Sequence, residues 1–166
     1  MAALDKLSDL LMLVAKLLVL VMALHIVVDI LIRAFTSISF EGTIEIASNY
    51  YMVAVITLPI AIVQRNRGHL IAEVFTQSLS ERAKQGLEAA GNILMVVFLS
   101  FIVWQSALDA IEATAYREYV ELTYVFLYIW PTKWFVPLGF GLMTVYAFLQ
   151  AISALAALAA DTDRPG

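Results

Sequence analysis

Four long apolar stretches run along the chain and are separated by shorter polar segments. They cover residues 10–32, 44–63, 87–108 and 134–157. Each approaches or exceeds the roughly 20 residues that a helix needs to cross about 30 Å of hydrocarbon. The pattern therefore predicts an all-α membrane protein in which residues 1–166 form a single domain of four transmembrane helices.

The connection between the second and third stretches predicts more than a loop. The segment "HLIAEVFTQ", residues 69–77, is amphipathic and is expected to lie along the membrane surface. The following "SLSE", residues 78–81, fits a capping box, so the third helix is expected to begin near Leu79, before it reaches lipid. Pro59 lies deep in the second stretch, where its missing N–H predicts a kink.

Aromatic residues crowd the connection before the fourth stretch. The segment "TYVFLYIWPTKWF", residues 123–135, is typical of an aromatic belt at a membrane interface, and it contains Trp130 and Trp134. Pro137 falls in the first turns of the fourth stretch, where a missing N–H costs least.

Composition supports lipid as the surrounding solvent. The chain is 62% hydrophobic and 14% charged, with a mean hydropathy of +0.86, whereas soluble domains carry about 25% charged residues. The net charge of −4 leaves no basic domain that would bind a nucleic-acid backbone. The absence of cysteine excludes disulfides and thiolate metal sites.

Positive charges favour one orientation in the membrane. With four crossings, one side holds Lys6, Arg65, Arg67, Arg82, Lys84 and Arg164, and the other holds Arg33, Arg117 and Lys133. Lysine and arginine accumulate in short cytoplasmic segments. Both termini are therefore expected in the cytoplasm.

A few ionisable residues lie within or near the apolar stretches. His25, Asp29 and Arg33 share one helix face at i, i+4 and i+8, and Glu45 opens the second stretch at a similar depth. Asp29, Arg33 and Glu45 are expected to form a charge cluster near the outer interface. Such groups are functional candidates because they are costly to bury. A polar seam that holds helices together is the main interpretation, and a proton or ion relay is the alternative.

The stretch "QRNRGHLIAE" is interpreted as the exit of the second helix from the membrane. Arg65 and Arg67 are expected to meet lipid phosphates or the last carbonyls of that helix. Gly68 suits the left-handed conformation that ends a helix, and His69 then has Glu73 as its i+4 neighbour. A plain positive stop signal with an incidental histidine explains the same residues.

The pattern shows no catalytic or cofactor motif. The two histidines differ in depth by roughly 20 Å, which does not suit two axial ligands of one haem iron. We find no nucleophile–base pair and no phosphate-binding loop. No cofactor, no metal site and no enzyme activity are expected.

Several features recur in a fixed order that is typical of one family. Arg33 follows the first stretch and Glu45 opens the second, and then come "RNRGHLIAE", "LSERAKQGLE", "WPTKW" and "VPLGFGL", whose first glycine is Gly139. Over residues 27–155 the chain resembles the small membrane (DctQ-like, or Q) subunit of a tripartite ATP-independent periplasmic (TRAP) transporter. Glu73 is one departure, since the family more often has aspartate there, but the charge is kept.

The resemblance implies a role in sodium-coupled secondary transport. Such a subunit is a multi-pass protein of the bacterial inner membrane, and it would scaffold the large multispanning (M) subunit, which carries the sodium and substrate sites. It would also help to dock the periplasmic substrate-binding (P) protein that delivers a small organic anion. A small four-helix proton-coupled exporter and a haem-binding respiratory anchor subunit are the alternatives.

Overall fold

The computed structural model describes residues 2–36, 42–66, 81–122 and 124–162. Its helices include four that are long and apolar enough to cross a membrane, which we name spans 1 to 4: Leu4–Thr36, Thr43–Arg65, Gly86–Ala115 and Trp130–Ala159. The predicted all-α membrane fold with four spans is confirmed. The expected interfacial segment, together with Arg67, Gly68, His69 and Glu73, lies outside the described residues.

The helices extend beyond the apolar stretches from which they were predicted. The helix of span 1 runs over Ala2–Thr36 and that of span 3 over Glu81–Ala115. Each has 35 residues and is therefore about 52 Å long at 1.5 Å per residue. Hydropathy marks the part of a helix that lies in hydrocarbon, whereas the backbone hydrogen bonds continue into the polar turns on either side. The residues before Glu81, where a start near Leu79 was predicted, are outside the described ranges.

Span 2 is not one regular α-helix, because its hydrogen-bond pattern changes along its length. It consists of α-helices over Thr43–Ile46, Val53–Thr57 and Ile60–Arg65, with a π-helix over Ala47–Met52 between the first two. The α-helix is interrupted at Leu58 and Pro59, where a kink was predicted, and Ile62 N donates to Pro59 O, three residues back, at 3.0 Å. The π-helix was not predicted. Within it, the side chains of Ser48 and Asn49 both donate to the Glu45 carbonyl, at 3.3 and 2.9 Å, and so compete with the backbone for that acceptor.

A two-stranded hairpin departs from the purely helical prediction. Strand β1, Tyr119–Glu121, pairs antiparallel with strand β2, Phe126–Tyr128. Tyrosine, valine and phenylalanine favour strands. Span 3 ends just before the hairpin in a Schellman motif, in which Glu118 N donates to Ala113 O and Arg117 takes the left-handed φ of 49°. A short helix, Trp130–Lys133, then leads into the helix of span 4, Phe135–Thr162.

Span 4 lies between spans 2 and 3. Its contact with span 3 is the most extensive in the structure, and it also packs on the second half of span 2. Span 1 packs mainly on span 2, with Ala15 buried against Ala54 and Leu58. Most of the large apolar side chains of span 1 remain exposed, as expected for a helix that faces lipid or a partner.

Candidate functional sites at the two ends of the bundle

Three amide side chains join spans 2, 3 and 4 at one end of the bundle. Gln64 is fully buried, and its Nε2 donates to Gln150 Oε1 at 2.8 Å and to Asn92 Oδ1 at 3.3 Å. Gln150 Nε2 returns a bond to the backbone carbonyl of Gln64 at 2.8 Å. We call the end defined by Gln64, Asn92 and Gln150 the amide end. Such bonds hold helices together where the hydrophobic effect between them is weak.

A second set of bonds at the amide end attaches span 1 to span 4. The hydroxyl of Tyr146, which is 3% exposed, donates to Asp5 Oδ1 at 2.9 Å. It also lies 3.0 Å from the hydroxyl of Ser8, a fully buried residue. The start of span 1 is therefore fixed against Tyr146, near the middle of span 4, although most of the large apolar side chains of span 1 are exposed.

Arg65 also binds span 1. Its Nη1 lies 2.8 Å from Asp9 Oδ1 and donates to the backbone carbonyl of Asp5 at 3.3 Å. The sequence favoured lipid phosphates or the carbonyls of its own helix, and the structure instead places the carbonyl and carboxylate of another helix beside it. A pair this exposed to solvent adds little stability, so its main effect is to orient the two helices.

The opposite end carries the predicted pair of Asp29 and Arg33. Arg33 Nη2 lies 2.9 Å from Asp29 Oδ2, and Asp29 is 4% exposed. Glu45 is half-buried, and among the described residues no ion pair joins it to Arg33. One turn before Asp29, His25 Nδ1 lies 3.3 Å from the hydroxyl of Tyr51, which belongs to the π-helix.

Side chains of spans 2 and 4 hold the hairpin at this end, which we call the hairpin end. Tyr50 of the π-helix donates its hydroxyl to the backbone carbonyl of Tyr128. Lys133 Nζ lies 3.4 Å from Glu118 Oε2. The consecutive residues Tyr50 and Tyr51 of the π-helix point in different directions and contact different partners, the hairpin and span 1.

The two tryptophans of the predicted aromatic belt both lie where span 4 begins. Trp134 Nε1 donates to Thr114 Oγ1 of span 3 at 3.0 Å, and the backbone N–H of half-buried Trp130 donates to Glu118 O at 3.3 Å. Pro137 is the third residue of its helix, in the first turn as predicted. Trp134 thus joins span 4 to span 3, and Trp130 joins it to the residue before the hairpin.

Gly139 marks the closest approach between spans 2 and 4. A Cβ atom at this position would lie 2.0 Å from the backbone oxygen of Thr57, two residues before Pro59. Only glycine allows the two backbones to come so near. The "VPLGFGL" motif therefore meets span 2 next to its break.

The polar side chains at these sites bond to other helices of the same chain. In the described ranges, no group of three or more histidine, aspartate or glutamate side chains is arranged to hold a metal ion. At each end of the bundle, polar groups bond largely to other polar groups of the same end. Between the two ends, the spans bury apolar clusters such as Ala15, Ala54 and Leu58. These features define a multi-pass membrane subunit whose polar side chains hold its own helices together.

The comparison with protein families makes this class specific. The model of "Tripartite ATP-independent periplasmic transporters, DctQ component" matches residues 22–157, which is most of the chain. The protein belongs to this family and is a small membrane subunit of a TRAP transporter. The exporter and haem-anchor alternatives are thereby set aside. Comparisons with curated proteins and with solved structures gave no match.

Proposed function

We propose that this chain is a non-enzymatic scaffold within a sodium-coupled TRAP transporter. It holds the large multispanning subunit in the membrane and helps to dock a periplasmic substrate-binding protein that delivers a small organic anion. The family match over residues 22–157 is the observation that carries this proposal. The large subunit supplies the ion and substrate sites, and this chain binds no cofactor.

The distribution of polar groups supports a scaffold rather than a carrier. Transporters bind substrate near the middle of the membrane, commonly at interrupted helices whose free backbone groups face a cavity. Span 2 is interrupted at Pro59, but Gly139 packs closely against the adjacent backbone at Thr57, and Leu58 is buried in an apolar cluster. The interruption is therefore covered by protein.

We propose the bacterial inner membrane as the location, with both termini in the cytoplasm. Lysine and arginine favour that orientation by six to three. The amide end then faces the cytoplasm and the hairpin end faces the periplasm. The exposed apolar surface of spans 1 and 3 is left for membrane lipids and for the large subunit.

Co-purification and reconstitution test the proposal together. The tagged chain, expressed in its native host, should bring down a large multispanning subunit. In liposomes with a sodium gradient and a ligand-loaded binding protein, it should support uptake only when that subunit is present. Robust uptake by the chain alone, or its isolation without the large subunit, would contradict the scaffold role.

A further inference from the structure

The outer face of the hairpin is an exposed cluster of aromatic rings. Tyr119, Phe126 and Tyr128 are about half exposed, and the ring of Tyr119 contacts the other two at centroid distances of 4.9 and 6.3 Å. Val120 and Leu127 alternate with them and turn their half-buried side chains to the other face. Contiguous apolar surface outside a core commonly marks an interaction site. We call Tyr119, Phe126, Tyr128 and Glu121, which shares their face, the hairpin face.

The hairpin face is held in place before any partner arrives. The Tyr50 hydroxyl bonds to the carbonyl of Tyr128, and Ile129 N donates to Glu118 O at 2.9 Å, just beyond the strands. Leu122 N also donates to Val125 O at 2.9 Å, which closes the turn. A surface fixed in this way loses little conformational entropy on binding.

The charge around the hairpin face selects the kind of partner. Glu121 lies directly opposite Phe126 across the strands. Beside the hairpin is a cleft of about 270 Å³ with three carboxylates and one ammonium, lined by Asp109, Glu112, Ala113, Tyr116, Glu118 and Lys133. Among the described residues, the carboxylates of Asp109, Glu112, Glu118 and Glu121 outnumber the nearby cations, Lys133 and exposed Arg117, by four to two. Aromatic faces attract cations, and the excess of carboxylates repels anionic lipid headgroups. The surface complements lysine or arginine side chains of a protein.

We propose that the hairpin face docks a basic, lysine- or arginine-bearing surface of the soluble substrate-binding protein. This inference rests on the proposed function, because it assigns the docking role to one defined surface. Aromatic rings supply the central contact area, and Glu121 and the acidic cleft beside it set the orientation. Electrostatic complementarity of this kind mainly raises the rate of association and makes it sensitive to salt.

The test uses this subunit assembled with the large subunit in nanodiscs and the ligand-loaded binding protein of the same system in solution. Glu121→Lys and Phe126→Ser should each weaken binding by about tenfold or more, as truncation of a central interface residue does. Glu121→Lys should also reduce the dependence of the association rate on salt. Phe35→Ser is the matched control, because Phe35 is 86% exposed on span 1 at the same end but outside the hairpin face, and it should bind as the parent does.

Three results would overturn the inference. Unchanged affinity in both hairpin variants would show that the hairpin face is not the docking surface. Equal loss in Phe35→Ser would show a general effect of removing exposed aromatic side chains at this end. Loss of the large subunit from the Glu121→Lys complex would assign the hairpin face to contact within the membrane complex. Absence of the large subunit from the parent preparation is a different failure, because it contradicts the proposed function itself.

Discussion

Gly139 of span 4 packs directly against the backbone carbonyl of Thr57 in span 2. A Cβ atom added at Gly139 would lie 2.0 Å from the Thr57 oxygen and 2.8 Å from its carbon. Both contacts are to backbone, so no side chain can rotate away to relieve them. Span 4 can therefore approach span 2 beside its interruption only because residue 139 has no side chain.

Gly139→Ala should destabilise the protein for this reason. Overpacking a close contact costs about 1–3 kcal/mol, and here a helix backbone has to move. Gly141→Ala is the control, because a Cβ atom there would meet nothing within 4 Å, and alanine is the better helix former. Thermal unfolding in detergent, followed by tryptophan fluorescence, should show a lower Tm for Gly139→Ala only. A similar Tm for the two variants would mean that spans 2 and 4 can move apart to accommodate the Cβ atom without loss of stability.

The amide end gives a second stability prediction. Gln64→Leu removes the amide that donates to Gln150 Oε1 and Asn92 Oδ1 and leaves these two oxygens without that donor, which should cost about 1–2 kcal/mol. Adding Gln150→Leu replaces both polar partners by apolar groups and should recover part of the loss. Unfolding of single and double variants in detergent measures this coupling. A purely additive result would mean that the two amides do not depend on each other.

The sequence predicted the four spans because their signal is local. Runs of about 20 apolar residues mark a transmembrane helix whatever lies beside it, and the i, i+4 spacing of Asp29 and Arg33 was enough to predict their ion pair. The missing N–H of Pro59 likewise predicted a disturbance of the helix at that residue. Each of these features depends on chemistry within one helix.

The amide end was not predicted because it depends on register between helices. Gln64, Asn92 and Gln150 come from three spans, and each alone reads as a tolerated polar residue near a helix end. Their comparable depth in spans 2, 3 and 4 is the one signal in the sequence from which they could have been found. The contact of Arg65 with Asp9 was missed similarly, because Asp9 lies before the apolar run from which span 1 was predicted.

The hairpin and the π-helix were not predicted from the sequence, for two different reasons. Strand β2 lies within residues 123–135, which were interpreted as an aromatic belt at the membrane interface, and strand β1 lies before that segment. The π-helix depends on side chains of Ser48 and Asn49 that compete for one carbonyl, which apolar periodicity does not register.

The proposed topology is tested with single cysteines, which label without background because the chain has none. Ala83→Cys lies near the start of the helix of span 3, and Tyr124→Cys lies in the hairpin turn at a residue that is 84% exposed. An impermeant thiol reagent added to intact cells should label position 124, and it should reach position 83 only after permeabilisation. The reverse pattern would place both termini outside the cytoplasm and would also remove the hairpin from the periplasm.

The pair of Arg33 and Asp29 gives the last prediction. Arg33→Ala removes the guanidinium 2.9 Å from a carboxylate whose side chain is 5% exposed, although Arg33 itself is 54% exposed. Taking a hydrogen-bond donor from a buried carboxylate costs about 1–3 kcal/mol. Arg33→Ala combined with Asp29→Ala removes the carboxylate as well and should be less harmful. The measurement is the yield of complex with the large subunit, with Arg117→Ala as a control at an exposed arginine of the same end. Equal yields for the single and double variants, or a similar loss in the control, would mean that the pair does not stabilise the hairpin end.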